Sequence, residues 1–247
     1  MSKTSYKRLL PADRKCERRR HYKKLTDKQL AIYYWFVSKS YWNFSQQEKH
    51  YYIYYSDINY SQIARDLGIG STNTVKNGIK TLVEKDFLWK NEDLQCYWIP
   101  HQTYSTYLNI NLIKFLLAWS IPLGAEVILF YSILKRCFEL TENKKFRFCI
   151  KSMVMGMGRN KNDATFYKKL KLYLAFFKEY DLIEVSEEVK TKNGAKYIQY
   201  MITGICEDIN EKCNYLDDED IPQIDQEILE KVSADLKTQL TAHSSLD

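Results

Sequence analysis

Apolar residues in the first part of the chain recur at a spacing that predicts an amphipathic helix. The apolar run Leu30–Val37 follows Thr26 and Gln29, which together form the polar pair of a capping box. The Tyr-rich segment Tyr51–Tyr55 comes next and alternates poorly. It is therefore either a short strand or the end of a helix.

The most regular pattern lies just after this segment. Ser61–Leu67 has apolar residues at helical spacing, and Gly68 follows it as a helix stop. A second helix begins at Ser71 or Thr72, and four apolar positions fall on one of its faces: Val75, Ile79, Leu82 and Val83. Two short extended runs joined by a polar turn follow within residues 87–99, so we expect two helices and then a hairpin.

The same order of elements recurs in the second half of the chain. The predicted elements there are a helix at Ala125–Leu140, a strand at Phe146–Phe148, a helix at Ile150–Met157, a long helix that begins at Asn162 or Asp163 and ends at Tyr180, and strands at Asp181–Val185 and Lys196–Ile202. The dipeptide Asn193-Gly194 is a strong signal for a tight hairpin turn between the two strands.

Charge divides the chain further. Residues 1–24 hold ten Lys or Arg and two acidic residues, whereas residues 206–247 hold three lysines and twelve acidic residues. We therefore predict a basic flexible arm at 1–24, two domains at 25–105 and 106–205, and an acidic tail with a helix-forming pattern over 224–240. The two domains together carry a net charge of +7, which suits a polyanionic partner.

The stretch Ser61–Leu88 resembles the helix-turn-helix half of bacterial winged-helix regulators. The matching residues are Leu67-Gly68-Ile69, then Ser71, Val75, Ile79 and Leu82, and finally Asp86-Phe87-Leu88. Asp86 stands where members of that family often have glycine. The second half matches in outline only, and tandem units of this kind also look like plasmid and phage replication initiators. The resemblance implies a mainly α fold with small β-hairpin wings, arranged as two winged-helix units in tandem.

The resemblance also implies that the second helix of each pair enters the major groove of DNA and that each wing lies near the DNA backbone. Amide and ammonium groups suit these contacts, because Asn pairs with adenine and Lys reaches guanine or phosphate. In the first unit the predicted DNA-binding residues are Ser71, Thr72, Asn73, Lys76, Asn77 and Lys80. In the second unit they are Asn160, Lys161, Asn162, Thr165, Lys168 and Lys169, with Lys190, Lys192 and Lys196 on the hairpin.

Two further segments have two interpretations each. Arg18, Arg19 and Arg20 in the basic arm either enter a minor groove or only keep the chain soluble. An aromatic cluster either stacks on single-stranded bases or belongs to the core, and the helical pattern favours the core. Its members are Trp35, Trp42, Tyr51, Tyr52, Tyr54 and Tyr55.

Signals for catalysis are weak. The four histidines are isolated, no C-x-x-C pair is present, and no glycine-rich phosphate loop is found. We therefore expect a protein that is not an enzyme and that uses no cofactor or metal. No apolar run approaches the ~20 residues that span a bilayer, and the chain starts on a polar, basic stretch. We expect a protein of the bacterial cytoplasm or nucleoid with no membrane contact.

The sequence thus predicts sequence-specific binding of double-stranded DNA, with transcriptional regulation as the leading function. A replication initiator that binds repeated origin sequences uses the same residues and is the alternative. A scaffold whose winged helices bind proteins is a third hypothesis. A homodimer and a protein partner for the acidic tail are also considered.

Overall fold

The computed structural model describes the backbone of residues 6–8 and, in full or nearly so, residues 25–42, 51–100, 107–192, 194–207 and 209. Within these residues the helices are α1 Asp27–Lys39, α2 Tyr60–Asp66, α3 Thr72–Glu84, α4 Ile110–Leu123, α5 Glu126–Glu139, α6 Ile150–Gly156 and α7 Ala164–Glu179. The strands are β1 Tyr6–Arg8, β2 Tyr41–Trp42, β3 Tyr51–Tyr54, β4 Trp89–Asn91, β5 Cys96–Ile99, β6 Tyr107–Asn109, β7 Phe146–Phe148, β8 Ile183–Lys192 and β9 Ala195–Ile205. The fold is therefore a mixture of helices and small antiparallel sheets.

Helix α1 begins at the predicted capping box. The Thr26 hydroxyl accepts a hydrogen bond from the Gln29 backbone N–H, and the Gln29 side chain accepts one from the Thr26 N–H. Every residue from Leu30 to Ser38 is buried, so α1 is surrounded by the core instead of presenting one apolar stripe. This all-round burial explains its run of consecutive aromatic and aliphatic residues.

Helices α2 and α3 are joined by the predicted tight turn. Gly68 has a φ of +58°, a left-handed conformation that glycine adopts without a steric cost. Ile69 is buried in the turn, and its N–H donates to the Ala64 carbonyl oxygen at 2.7 Å. Ser71 is the cap of α3, since its hydroxyl accepts a hydrogen bond from the Asn73 backbone N–H.

The sheet of the first half has the strand order β2-β3-β5-β4, and all its pairs are antiparallel. The Tyr-rich segment is thus a strand, β3, and not the end of a helix. Strands β4 and β5 form the hairpin that follows α3. Its first strand begins only at Trp89, because Phe87 and Leu88 are buried against the core.

The second half repeats this connectivity. Helix α5 is followed by strand β7, the helix pair α6 and α7, and the hairpin β8–β9. The sheet order is β7-β9-β8, so β7, the strand before the helix pair, pairs with the last strand of the hairpin as β3 does in the first half. Asp163 caps α7, and Gly194 (φ +78°) lies between the hairpin strands, as the Asn193-Gly194 signal predicts.

The two halves also share unusual backbone conformations at equivalent positions. Gly158 (φ +76°) follows α6 as Gly68 follows α2. Asp181 (φ 51°) follows α7 as Asp86 (φ 61°) follows α3. Aspartate therefore occupies the left-handed position after the second helix of the pair in both halves. Aspartate is one of the few residues other than glycine that visit the left-handed region readily.

Helix α4 joins the halves, and the sequence pattern does not single it out. It packs against α1 of the first half and α5 of the second. Pro122 lies in its last turn, and Gly124 (φ +89°) ends it. Buried residues of both halves form one continuous hydrophobic core. None of the described helices is long and apolar enough to cross a membrane.

The folded part of the chain extends a few residues into the predicted acidic tail. The Tyr131 hydroxyl donates to the Cys206 carbonyl oxygen at 2.6 Å, and the Cys206 N–H donates to the Leu182 carbonyl oxygen at 2.9 Å. Ile209 is buried, and Glu207 forms an ion pair with Lys135. Residues 206, 207 and 209 thus pack on the second half, and the rest of the predicted tail lies outside the described residues.

Candidate nucleic-acid interface

Helix α3 has one face in the core and the opposite face in solvent. Its buried residues are Val75, Gly78, Ile79 and Leu82. Gly78 permits a close approach to α1, because a Cβ atom there would lie 2.4 Å from the Cδ1 atom of Ile32. The outward face carries Asn73, Lys76, Asn77 and Lys80, all exposed, with Ser71 and the half-buried Thr72 at its N-terminal end.

The charges on this face are only lightly paired. The Lys80 ammonium lies 3.8 Å from the Glu84 carboxylate, and both side chains are mostly in solvent. Such exposed pairs contribute ~0–1 kcal/mol and exchange readily for another anion. The Lys76 ammonium lies 5.3 Å from the centre of the Tyr60 ring, a cation–π contact that the sequence analysis missed. Both ammonium groups therefore remain accessible to a phosphate.

Helix α7 and the turn before it present a second polar face. Asn160, Lys161, Asn162, Thr165 and Lys168 are exposed, whereas Phe166 and Leu170 are buried behind them. The Asn160 side chain shapes the turn by accepting a hydrogen bond from the Asn162 N–H. The two helix pairs thus show the same chemistry, amides and ammonium groups, at the start of their second helices.

Lys169 does not share that face. Its ammonium donates to the Glu126 carboxylate at 2.9 Å, and its side chain is only 30% exposed. Arg159 binds the same carboxylate at 2.6 Å and lies over the Phe166 ring. Lys169 is therefore half-buried and not on the exposed face that the sequence pattern indicates, and its contact with DNA stays a prediction. A helical period places the residue beside Lys168, but the ion pair with Glu126 of α5 turns it toward the junction of the two halves.

That junction is a polar cluster the sequence did not reveal. The Asp27 carboxylate of the first half lies beside the backbone of Ala125 and Glu126, at the start of α5 in the second half, and a Cβ atom on Gly124 would lie 2.9 Å from its Oδ2 atom. Burial raises the pKa of Asp27, and the nearby Lys169 acts in the opposite direction. The Tyr173 hydroxyl donates to the Leu123 carbonyl oxygen at 2.9 Å. These contacts hold the two halves in one arrangement.

The hairpin β8–β9 carries the other predicted cations of the second half. Lys190 and Lys196 are exposed near its tip, and Lys190 forms an ion pair with Glu188 at 2.7 Å. Lys192 is the last residue of β8, and its side chain lies outside the described residues. Arg18, Arg19 and Arg20 also lie outside them. With strands of 10 and 11 residues, this hairpin is far longer than β4–β5.

Neither a protein-family model, nor a curated protein, nor a solved structure matches this chain. The candidate interface therefore stands on its own geometry. That geometry offers two exposed helix N-terminal faces with hydrogen-bonding amides and mobile cations, and one long hairpin with cations near its tip.

Proposed function

We propose that the chain binds double-stranded DNA in a sequence-specific manner through two winged-helix units and acts as a transcriptional regulator. One observation carries the proposal. The second helix of each pair places Asn and Lys side chains in solvent while its opposite face packs in the core. A helix held in this way presents its N-terminal residues to base edges in the major groove, as recognition helices do.

The composition of the exposed α3 face supports base contacts as well as phosphate contacts. The amide groups of Asn73 and Asn77 make no hydrogen bond with the described part of the chain, so an adenine edge finds both donor and acceptor available. Lys76 and Lys80 flank them on the same face. A scaffold that binds proteins has less need of this mixture, since the cores of protein interfaces are depleted in lysine.

The hairpins support the same proposal. In the second half, Lys190 and Lys196 lie beyond α7 along the chain, on strands that extend from the core. Cations in that position suit the phosphates beside the groove that a recognition helix occupies. The proposal thus assigns base contacts to the helices and backbone contacts to the longer hairpin.

The salt dependence of duplex binding tests the proposal. A duplex selected from random sequences is titrated with the protein by fluorescence anisotropy at several salt concentrations. Replacing Lys76 and Lys80 with Ala removes two positive charges, each of which would neutralise one phosphate. The slope of log K against log salt should therefore fall by about 2, since each phosphate contributes ~0.9. The affinity at low salt should also fall.

The matched control replaces two other exposed lysines, Lys145 and Lys178, which lie away from the proposed interface. It removes the same charge from the protein and should leave the slope unchanged. If the slope of log K against log salt falls equally in both double variants, only the net charge of the protein matters. That result contradicts a defined interface. If the unchanged protein binds no duplex at low salt, the proposal is wrong, and a scaffold that binds proteins is the remaining hypothesis.

A replication initiator is the second candidate, and the joined architecture favours it. The junction around Asp27 and Glu126 fixes two similar units in one chain. Such a chain suits the repeated sequences of a replication origin. A footprint over direct repeats in an AT-rich region would support this function, whereas a footprint over a promoter supports regulation.

A further inference from the structure

An aromatic surface covers the outer side of the sheet β2-β3-β5-β4. The inner side of this sheet packs in the core through Tyr51, Ile53, Tyr97 and Ile99. The outward positions, assigned from the strand register, are Tyr41, Tyr52, Tyr54, Trp89, Asn91, Cys96 and Trp98. We name this set the aromatic face. Five of its seven residues are Tyr or Trp, and none is aliphatic.

Four of the rings form one row across all four strands. Tyr41 is paired with Tyr52, Tyr52 with Trp98, and Trp98 with Trp89. Paired residues of antiparallel strands point to the same side, and adjacent strands lie ~4.8 Å apart, so the row spans about 14 Å. Tyr54 stands beside this row, with its ring centre 5.3 Å from that of Tyr52.

The rings are accessible although they crowd one another. Tyr41, Trp89 and Tyr54 are 51%, 49% and 43% exposed. Cys96, by contrast, is only 1% exposed, and burial raises the pKa of its thiol. The small side chain is therefore covered by its larger neighbours, which stand outward around it. The surface offers ring faces and polar ring edges to whatever approaches from solvent.

We infer that the aromatic face binds single-stranded DNA by stacking unpaired bases on its rings. Every base has a π face, so a row of Tyr and Trp rings accepts bases without regard to sequence. A row of about 14 Å spans roughly three strand spacings and offers room for a few nucleotides. The residues of this site differ from those of the exposed helix faces proposed for duplex DNA, since the rings stand on the strands β2, β3, β4 and β5.

The charge around the rings suits a nucleic acid strand. Among the described residues of the four strands the only charged side chain is Lys90, so no carboxylate lies within the row. Lys39 and Lys85 come just before β2 and β4 in the chain. Glu92 and Asp93 lie in the turn of the hairpin, beyond the end of the sheet that carries Tyr54 and Asn91. Glu92 forms an exposed ion pair with Lys90. The row of four rings itself therefore presents no carboxylate to a phosphate backbone.

The size of the surface argues against a second copy of the chain as its occupant. One side of a standard protein interface has about 20–30 residues, and its core is largely apolar. The aromatic face has seven outward positions and no aliphatic side chain. A short run of stacked bases requires much less area, and it uses rings in preference to aliphatic groups.

Titration of the full chain with a fluorescein-labelled 15-nucleotide oligo(dT) tests the inference. We expect binding at low salt, accompanied by quenching of tryptophan emission. Trp89→Thr and Tyr54→Thr remove exposed rings and keep a residue that favours strands. Each should lower the affinity for oligo(dT) about tenfold, given the measured contribution of one base–ring stack. Tyr54→Thr should keep its affinity for the selected duplex, because β3 lies outside the hairpin that follows α3.

Leu94→Thr is the matched control, because Leu94 is apolar, 56% exposed and on the same hairpin, but outside the row of rings. It should bind oligo(dT) as the unchanged protein does. The variant that replaces Lys76 and Lys80 with Ala should lose duplex affinity and keep most of its affinity for oligo(dT). Failure of the duplex proposal is thereby distinguished from failure of this inference.

Three results would overturn the inference. The first is no binding of oligo(dT) at low salt. The second is equal binding by the ring variants and the unchanged protein. The third is a change from dimer to monomer in the ring variants, measured by sedimentation, with no loss of oligo(dT) binding. That result would assign the surface to a second copy of the chain. Circular dichroism checks that each variant folds, and Tyr41→Thr replaces any variant that does not.

Discussion

At the scale of single residues, exposed polar and buried apolar side chains alternate along α3. Val75 and Ile79 are buried, and each is followed at once by an exposed lysine, Lys76 or Lys80. The helical period separates the two sets, so a substitution on the outer face changes contacts with a ligand and leaves the core intact. The two asparagines on that face are the residues best suited to read a base.

Replacing Asn73 or Asn77 with Ala should relax base preference more than it lowers affinity for random duplex. A bidentate amide–adenine pair contributes ~1–3 kcal/mol of discrimination, whereas nonspecific affinity comes from the phosphates. Competition between the selected duplex and single-base variants of it measures the preference. Asn143→Ala, in an exposed turn away from the interface, serves as the control. An equal loss for all duplexes would place these amides at the backbone instead.

At the scale of elements, the way each helix ends decides where the next element starts. Asp86 and Asp181 take left-handed conformations directly after α3 and α7, and each is followed by a backbone hydrogen bond that turns the chain back toward the core. For this reason both hairpins follow α3 and α7 in the same manner. The start of α5 differs, because Ala125 provides no capping side chain and the Asp27 carboxylate of the first half lies beside it instead.

Asp27→Ala should destabilise the fold by about 1 kcal/mol, the usual cost of losing a helix cap. The backbone N–H groups of Ala125 and Glu126 lose the carboxylate beside them in this variant. Asp27→Asn keeps an acceptor oxygen without the charge, so its free energy of unfolding should fall much less. Urea denaturation followed by circular dichroism measures both. If the alanine variant is as stable as the asparagine variant, the carboxylate does not act as a cap across the junction.

At the scale of the whole molecule, opposite charges are separated along the chain. The body is basic, whereas residues 211–247 carry ten acidic residues and three lysines. An acidic segment repels phosphate, and it also competes with DNA for exposed lysines. Ile209 is buried in the second half, so the acidic segment is taken to begin after this residue, at 211.

Removing residues 211–247 should raise the affinity for duplex DNA, most clearly at low salt. The truncation keeps Cys206, Glu207 and Ile209, which pack on the folded body, so its stability should match that of the full chain. Anisotropy titrations of the two proteins against the same duplex compare them. A large loss of affinity on truncation would show that the acidic segment takes part in binding.

The sequence by itself determined the local elements. Helical spacing, the Thr26–Gln29 capping box, the Gly68 stop and the Asn193-Gly194 turn correctly located most helices and both hairpins, because each signal acts within a few residues of chain. The exposed faces of α3 and α7 followed from the same spacing. The aromatic cluster was predicted less well. Trp35 and Tyr51 are in the core as expected, whereas Tyr52 and Tyr54 point outward.

Only the tertiary structure decided what depends on partners distant in sequence. The Tyr41–Tyr52–Trp98–Trp89 row exists because four separate strands pair in one register. Lys169 leaves the predicted interface because Glu126, on another helix, lies 2.9 Å away. The Asp27 carboxylate lies beside the start of a helix that begins about a hundred residues later. Periodicity reports which side of an element is apolar, but a contact between elements also depends on how the chain closes the loops between them.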